Sequence, residues 1–270
     1  MTVDRVPLDA AALRDDVLSS SPEWRRVDVV AETGSTNADL IARAGRGEDI
    51  AGAVLIAENQ TAGRGRRGRS WSAVPFAQIT MSVGVDVAAV PSDAWGLLPL
   101  ATGVAVVDAV ADAGVAAGLK WPNDVLAGDG KLAGILAEVA AADRAVVIGV
   151  GLNVSLRAGE VGVDGVTSLV DLGVAHPDRQ RLIDRVLHEL GNRIDSWRRA
   201  GGADADLIAA YRARSLTLGM NVRALLPGDR ELVGVARDID GQGRLVLDTD
   251  GGPTTVSAGD IVHLRPAESL

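Results

Sequence analysis

The hydrophobic pattern changes character near Leu216, and that change constrains the architecture more than any other feature. Beyond Leu218 the apolar runs are short. Residues 222–226, 231–238, 244–248, 254–257 and 261–264 read as strands separated by Gly/Asp turns. Closely spaced short strands between turn formers indicate a small β-barrel. Upstream, helical and strand patterns alternate, which indicates a larger mixed domain. The sequence therefore divides into 1–216 and 217–270.

The upstream part begins with a short helical stretch at 8–19 and a strand at 27–30. The run Thr33-Gly34-Ser35-Thr36-Asn37 is rich in N-cap residues and leads into a helix through Ala44. A strand at 53–57 is followed by a polar loop at 58–75. Ile79, Met81, Val83 and Val85 alternate with period two, the mark of a strand with one buried face. Residues 93–113 form an apolar, Ala-rich helix. Strands at 119–126 and 131–140 join through Ala127-Gly128-Asp129-Gly130, and a third follows at 145–154. In 178–200, Leu182, Val186, Leu190, Ile194 and Trp197 recur at helical spacing, with a further helix at 204–215. Only five Trp, one Tyr and one Phe occur in 270 residues, so Val, Leu, Ile and Ala must build the core.

Composition excludes several classes. A net charge of −9 opposes general nucleic-acid affinity. The absence of cysteine removes disulfides, zinc–thiolate sites and thiol nucleophiles. His176, His188 and His263 show no metal-ligand spacing. The N-terminus lacks a signal-peptide pattern, and no apolar stretch reads as a bilayer span, so a cytoplasmic protein is expected.

Against this acidic background the cations are unevenly placed. Lysine occurs only at Lys120 and Lys131, and no arginine lies between Arg69 and Arg144. A compact ammonium on a flexible stem is thus retained at two nearby positions in an arginine-rich chain. The run Gly63-Arg64-Gly65-Arg66-Arg67-Gly68-Arg69 puts four arginines among glycines. Such a loop suits several phosphate or carboxylate oxygens; its plainer reading is a solvated basic loop. It matches G-x-G-x-x-G literally, yet Arg69-Ser70-Trp71-Ser72-Ala73-Val74-Pro75 does not open a helix, so the dinucleotide-fold reading fails. A P-loop fails as well, because Leu132 follows Lys131 and Val125 stands at the first glycine position. In Lys120-Trp121-Pro122-Asn123-Asp124, Trp121-Pro122 is expected to be extended. Asp124 is a candidate to hold Mg²⁺ or to orient a lysine. The alternative is a plain hairpin with one exposed lysine.

These runs, with Gly34-Ser35-Thr36-Asn37, Gln60-Thr61-Ala62, Lys131-Leu132-Ala133-Gly134-Ile135-Leu136 and Gly149-Val150-Gly151-Leu152-Asn153, resemble the biotin–protein ligases in order and spacing. The likeness spans about 27–264 and is nearest the monofunctional, mycobacterial type. It implies an α+β fold, with a class II synthetase-like mixed sheet backed by helices and a C-terminal SH3-like β-barrel. It also implies two reactions: biotin and ATP give biotinyl-5′-AMP, and biotin then passes to a lysine of a biotin carboxyl carrier domain of an acyl-CoA carboxylase.

By resemblance, Lys131, Arg66 and Asp124 are the catalytic candidates. Lys131 would bridge the biotin carboxylate and the α-phosphate, because two anions meeting need cations between them. Asp124 would orient Lys131 or the carrier lysine. Ser35, Thr36, Asn37, Gln60, Gly63, Arg64, Arg66, Trp71, Lys131 and Gly134 would form the biotin site. Arg64, Arg67, Lys120, Asn123 and Asn153 would hold ATP, with Mg²⁺ carried by the nucleotide.

The arginine loop is expected to be mobile when empty, since glycine and like charges both oppose packing. Some family members carry an N-terminal helix-turn-helix. Here the first motif starts at Gly34, so no DNA binding is expected. A monomer without membrane attachment is expected. Lipoate–protein ligase is the alternative enzyme, and a nucleic-acid module using the arginine loop is the alternative of another class.

Overall fold

The computed structural model describes residues 5–140, 145–157, 159–226, 230–257 and 260–263. Helix α1 (Ala10–Ser20) precedes β1 (Arg26–Val30), α2 (Thr36–Gly45) and β2 (Ala53–Ala57). Two short strands, β3 (Gly63–Arg64) and β4 (Ser70–Trp71), lead to β5 (Gln78–Asp86) and α3 (Leu97–Ala111). Next come β6 (Gly118–Lys120), β7 (Asp124–Ala127), β8 (Gly130–Ala140) and β9 (Ala145–Asn153). Helices α4 (Arg179–Arg199) and α5 (Ala205–Arg214) close the larger part. The C-terminal strands are β10 (Asn221–Leu226), β11 (Arg230–Ile239), β12 (Leu245–Thr249), β13 (Gly252–Val256) and β14 (Asp260–His263).

The larger sheet has the order β1-β2-β5-β9-β8-β7-β6. Its β1–β2 pair is parallel and the remaining pairs are antiparallel, so the sheet is mixed. One face carries α3 and α4, with Val54, Ile56, Ile79, Met81, Val83, Ile148 and Val150 in the continuous core. The other face carries α2 over a smaller cluster around Leu40, Leu55 and Val147. Because side chains alternate along a strand, β5 sends Ile79, Met81 and Val83 to the helices and Gln78, Thr80 and Ser82 to the α2 face. Opposite these three polar residues β9 presents Asn153, Gly151 and Gly149. That polar and glycine half of the sheet becomes the floor of the site.

Local chemistry explains the helix starts. Asp9, Ser35, Asp178 and Asp204 accept hydrogen bonds from the first-turn N–H groups of α1, α2, α4 and α5. The α4 stripe of Leu182, Val186, Leu190, Ile194 and Trp197 is buried as its spacing requires.

Three expectations need correction. The strand read at 119–126 is two strands, because the chain turns at Trp121-Pro122-Asn123 and the Trp121–Pro122 bond is cis rather than extended. The polar loop at 58–75 contains the β3–β4 ribbon, closed by a turn in which Gly65 N donates to Arg69 O at 2.7 Å. Ser92–Ala111 is long and apolar enough, by length and composition, to cross a membrane. In the fold 72% of that window is buried, and it serves as the central core helix.

The last five strands form an antiparallel sheet, β13-β12-β11-β10-β14, as the C-terminal pattern indicated. Among the described residues β13 and β14 are its edges. This sheet joins the larger part through hydrogen bonds from Leu216 N to Leu119 O (2.8 Å), Trp121 N to Thr217 Oγ1 (3.0 Å) and Trp121 Nε1 to Gly243 O (3.0 Å).

Candidate active site

A cavity of about 280 Å³ opens on the α2 face of the larger sheet. The α2 N-terminus, the arginine loop, the β6–β7 turn and the start of β8 wall it, and Leu225, Ile261 and Val262 of the C-terminal sheet complete the rim. Chain segments distant in sequence, from Ser35 to Val262, thus meet at one concave surface.

Ser35 caps α2. Thr36 N and Thr36 Oγ1 both donate to Gln60 Oε1, at 2.8 and 3.1 Å. Thr36 Oγ1 also lies 2.6 Å from Ser82 Oγ, which donates to Asn37 Oδ1 at 2.6 Å. Asn37 Nδ2 donates to Leu136 O at 3.2 Å and Glu138 Oε2 at 2.9 Å. Thr36, Asn37, Gln60 and Ser82 therefore form one interlocked polar end, and Ser35 lines the cavity beside it. A Cβ on Gly149 would lie 2.3 Å from Asn37 Oδ1, so only glycine lets Asn37 sit this close to the sheet.

Trp71 lies over the floor. A Cβ on Gly151 would meet its ring at 2.4 Å, and one on Gly134 would meet it at 3.1 Å. Glycines on β8 and β9 thus create a seat for the indole. Trp71 Nε1 is buried without a hydrogen-bond partner, a donor that a bound molecule can satisfy. Lys131 Nζ is 6.0 Å from the indole centroid and 2.6 Å from Asp124 Oδ1. Both Lys131 and Asp124 line the cavity and remain partly accessible. Lys120 and Asn123 line it as well. Asn123 Oδ1 accepts from Arg66 at 3.1 Å while its Nδ2 donates to Ile135 O at 3.0 Å. Burial, with the Asp124 carboxylate adding to it, pushes the Tyr211 hydroxyl well above the ordinary phenol range.

The arginine loop has protein partners where mutual repulsion suggested none. Arg64 pairs with Glu138 at 2.6 Å, Arg66 with Asn123, and Arg67 Nη2 donates to Leu225 O at 2.8 Å. Among the loop arginines, Arg64, Arg66 and Arg69 line the cavity, whereas Arg67 reaches to the C-terminal sheet. Gly63 does not line it: a Cβ there would strike Trp71 O at 2.5 Å, so its glycine serves the ribbon crossing. Asn153 is 1% exposed and its amide is taken up by protein groups beside the cavity rather than in it.

Glu138 and the floor glycines Gly149 and Gly151 were not assigned roles from sequence. Their signal was available: the glycines recur with period two in the Gly149-Val150-Gly151 run, and Glu138 is the one acid on β8. Leu225, Ile261 and Val262 carried no local signal, because they reach the site only through tertiary folding.

Residues 36–155 match the Biotin/lipoate A/B protein ligase family, and residues 217–264 match the Biotin protein ligase C terminal domain. The first match defines the broader class of acyl-group ligases to which this fold and cleft belong. A biotin–[acetyl-CoA-carboxylase] ligase of Mycobacterium tuberculosis is 59% identical over 265 residues, covering 97% of each chain. The bifunctional ligase/repressor BirA of Escherichia coli is 35% identical, covering 90% of this chain and 75% of that protein. The structure of a biotin protein ligase from Aquifex aeolicus in complex with biotin and ATP superimposes with a TM-score of 0.76 at 24% identity, covering 90% of this chain and all of that one. This chain belongs to the biotin protein ligase family.

Proposed function

We propose that the protein activates biotin with ATP and transfers it to a lysine of a biotin carboxyl carrier domain. A biotin carboxylate oxygen attacks the α-phosphorus of ATP, forming biotinyl-5′-AMP and releasing pyrophosphate. The carrier lysine amine then attacks the biotinyl carbonyl, the carbon–oxygen bond to phosphate breaks, and AMP leaves with the electron pair. The observation that carries this reading is the Lys131 ammonium, on the cavity wall 2.6 Å from Asp124 and beside Trp71. A cation between two approaching anions lowers their repulsion most where charge concentrates.

Ser35, Thr36, Asn37 and Gln60 supply donors and acceptors matched to a ureido ring, while Trp71 and the flat stretch at Gly134 suit the apolar thioether ring and tail. Arg64 and Arg66 neutralise the adenylate, and Lys120 and Asn123 serve the nucleotide side. Asn153 and Arg67 support the nucleotide region from outside the cavity wall. Mg²⁺ arrives with the ATP phosphates, as is usual for this cation. We assign residues 1–216 to catalysis and 217–270 to a C-terminal domain that completes the rim. The favoured setting is a cytoplasmic monomer that binds no DNA or membrane and modifies the carrier subunit of an acyl-CoA carboxylase.

Biotin is favoured over lipoate by the match of residues 217–264 to the Biotin protein ligase C terminal domain and by the named activity of the mycobacterial relative. The test is incubation of a carrier domain with the protein, ATP and Mg²⁺, and either biotin or lipoate. The mass of one biotinyl group on a single lysine is expected. A lipoyl adduct, or none with either acid, removes the proposal.

A further inference from the structure

We propose that Gln78 is a positioning residue for adenylation, acting through a relay of two side-chain amides that ties the stem of the arginine loop to the backbone of Lys131. This inference rests on the proposed reaction and adds a residue that touches neither substrate.

Gln78 and Asn153 are directly opposed partners on β5 and β9. They are 3% and 1% exposed. Gln78 Nε2 donates to Asn153 Oδ1 at 2.8 Å and to Ser72 O at 3.2 Å, and Gln78 Oε1 accepts from Val74 N at 2.9 Å. Asn153 Nδ2 in turn donates to Lys131 O at 3.2 Å and Thr167 O at 3.0 Å. Both NH₂ groups use both of their hydrogens, and each carbonyl oxygen accepts. This assigns the orientation of each amide, because turning either one over would set donor against donor or acceptor against acceptor.

The consequence is geometric. Ser72 follows Trp71, so the relay holds the chain immediately after the indole that lies over Gly134 and Gly151. At its other end it holds the peptide of Lys131, whose ammonium stands beside that same indole. Buried, fully satisfied polar networks hold backbone segments in one arrangement more firmly than apolar packing does. Gln78 therefore fixes the Lys131 peptide, whose ammonium must meet the carboxylate and the α-phosphate, relative to the indole that flanks the biotin tail. The polar end at Thr36, Gln60 and Ser82 is a separate network that shares no hydrogen bond with it.

That separation supplies the test, made on the full chain. Gln78→Met keeps the approximate length and removes the bonds to Ser72 O, Asn153 Oδ1 and Val74 N, leaving Asn153 to hold Lys131 O without its anchor. Single-turnover formation of biotinyl-adenylate is expected to slow about tenfold to a hundredfold, as sub-ångström misplacement of reacting groups does. Biotin affinity without ATP, measured by calorimetry, should fall by less than about threefold, because the ureido end at Thr36, Gln60 and Ser82 shares no partner with the relay and only the tail contact at Trp71 is disturbed. Adding Asn153→Ala to Gln78→Met should slow the step by less than Asn153→Ala does alone, since residues of one hydrogen-bond network are not additive. Gln78→Glu is the second variant; it retains the acceptor for Val74 N and loses both donors, and the same split is expected. Wild-type adenylation in either folded variant overturns the proposal. So does a parallel fall in biotin affinity and rate, or failure of both variants to fold, since each assigns the amides to stability alone. A wild-type protein that adenylates no biotin would instead remove the underlying reaction.

Discussion

At the residue scale the site depends on one ammonium and on glycines that no other residue can replace. Lys131→Ala should lower adenylate formation by about a hundredfold to a thousandfold, the usual loss for one charge-stabilising group, measured by biotin-dependent pyrophosphate exchange. Normal exchange in that variant would remove Lys131 from its role. Gly151→Ala makes a separate prediction. Its new methyl would lie 2.4 Å from Trp71 Cε2, so the indole must leave its seat. Retention of the adenylate should weaken, and the difference should disappear when Trp71 is already Ala. Lys131 and Asp124 were legible in the sequence because a scarce residue type fell within a recognisable run. Gln78 was not, because its period-two strand drew attention to Ile79, Met81 and Val83. The polar residues between them looked like solvent-facing fillers, yet they are the buried floor. Asn153 was read as a nucleotide-site residue, whereas it sits beside the cavity, and its pairing with Gln78 was not legible, since pairing across strands depends on register.

At the element scale the long periodic segments were the most legible. Helix α4 fell within a residue or so of its expected ends because one apolar stripe and an Asp cap define it. Leu190 is fully buried in that stripe, and Leu190→Ala should cost about 2–5 kcal/mol of stability by chemical denaturation. A cost below about 1 kcal/mol would mean that α4 repacks freely there. Short elements were less legible. The β6–β7 break at Trp121-Pro122-Asn123 was hidden because apolar residues flank it on both sides and the backbone before a proline is usually extended. The β3–β4 ribbon was hidden for a different reason. Its arginines suggested repulsion, whereas their partners, Glu138, Asn123 and the Leu225 carbonyl, lie on other elements.

At the scale of the whole molecule, the C-terminal sheet is a working wall of the cleft. Thr217 joins the two parts by accepting from Trp121 N and meeting His263 Nε2 at 3.2 Å. Burial, and next the Lys120 ammonium, hold the His263 imidazole below its ordinary range. The folded protein thus binds a proton there less readily than the unfolded chain. The stability this contributes is present above the unfolded histidine pKa and is lost as pH falls toward the folded one. Thermal midpoints should therefore drop between about pH 7.5 and pH 5.5, and His263→Gln should flatten that part of the profile. An unchanged slope in the variant would place the acid sensitivity elsewhere.

The pairing of Arg64 with Glu138 carries a last consequence for the empty molecule. On the cavity wall the loop already holds a resident carboxylate on Arg64 and a neutral oxygen on Arg66, which substrate oxygens would displace. Nucleotide capture is then an exchange reaction rather than the quenching of bare charge. Its free energy is a difference between two sets of contacts, so its response to ionic strength should be shallower than a count of loop arginines would suggest.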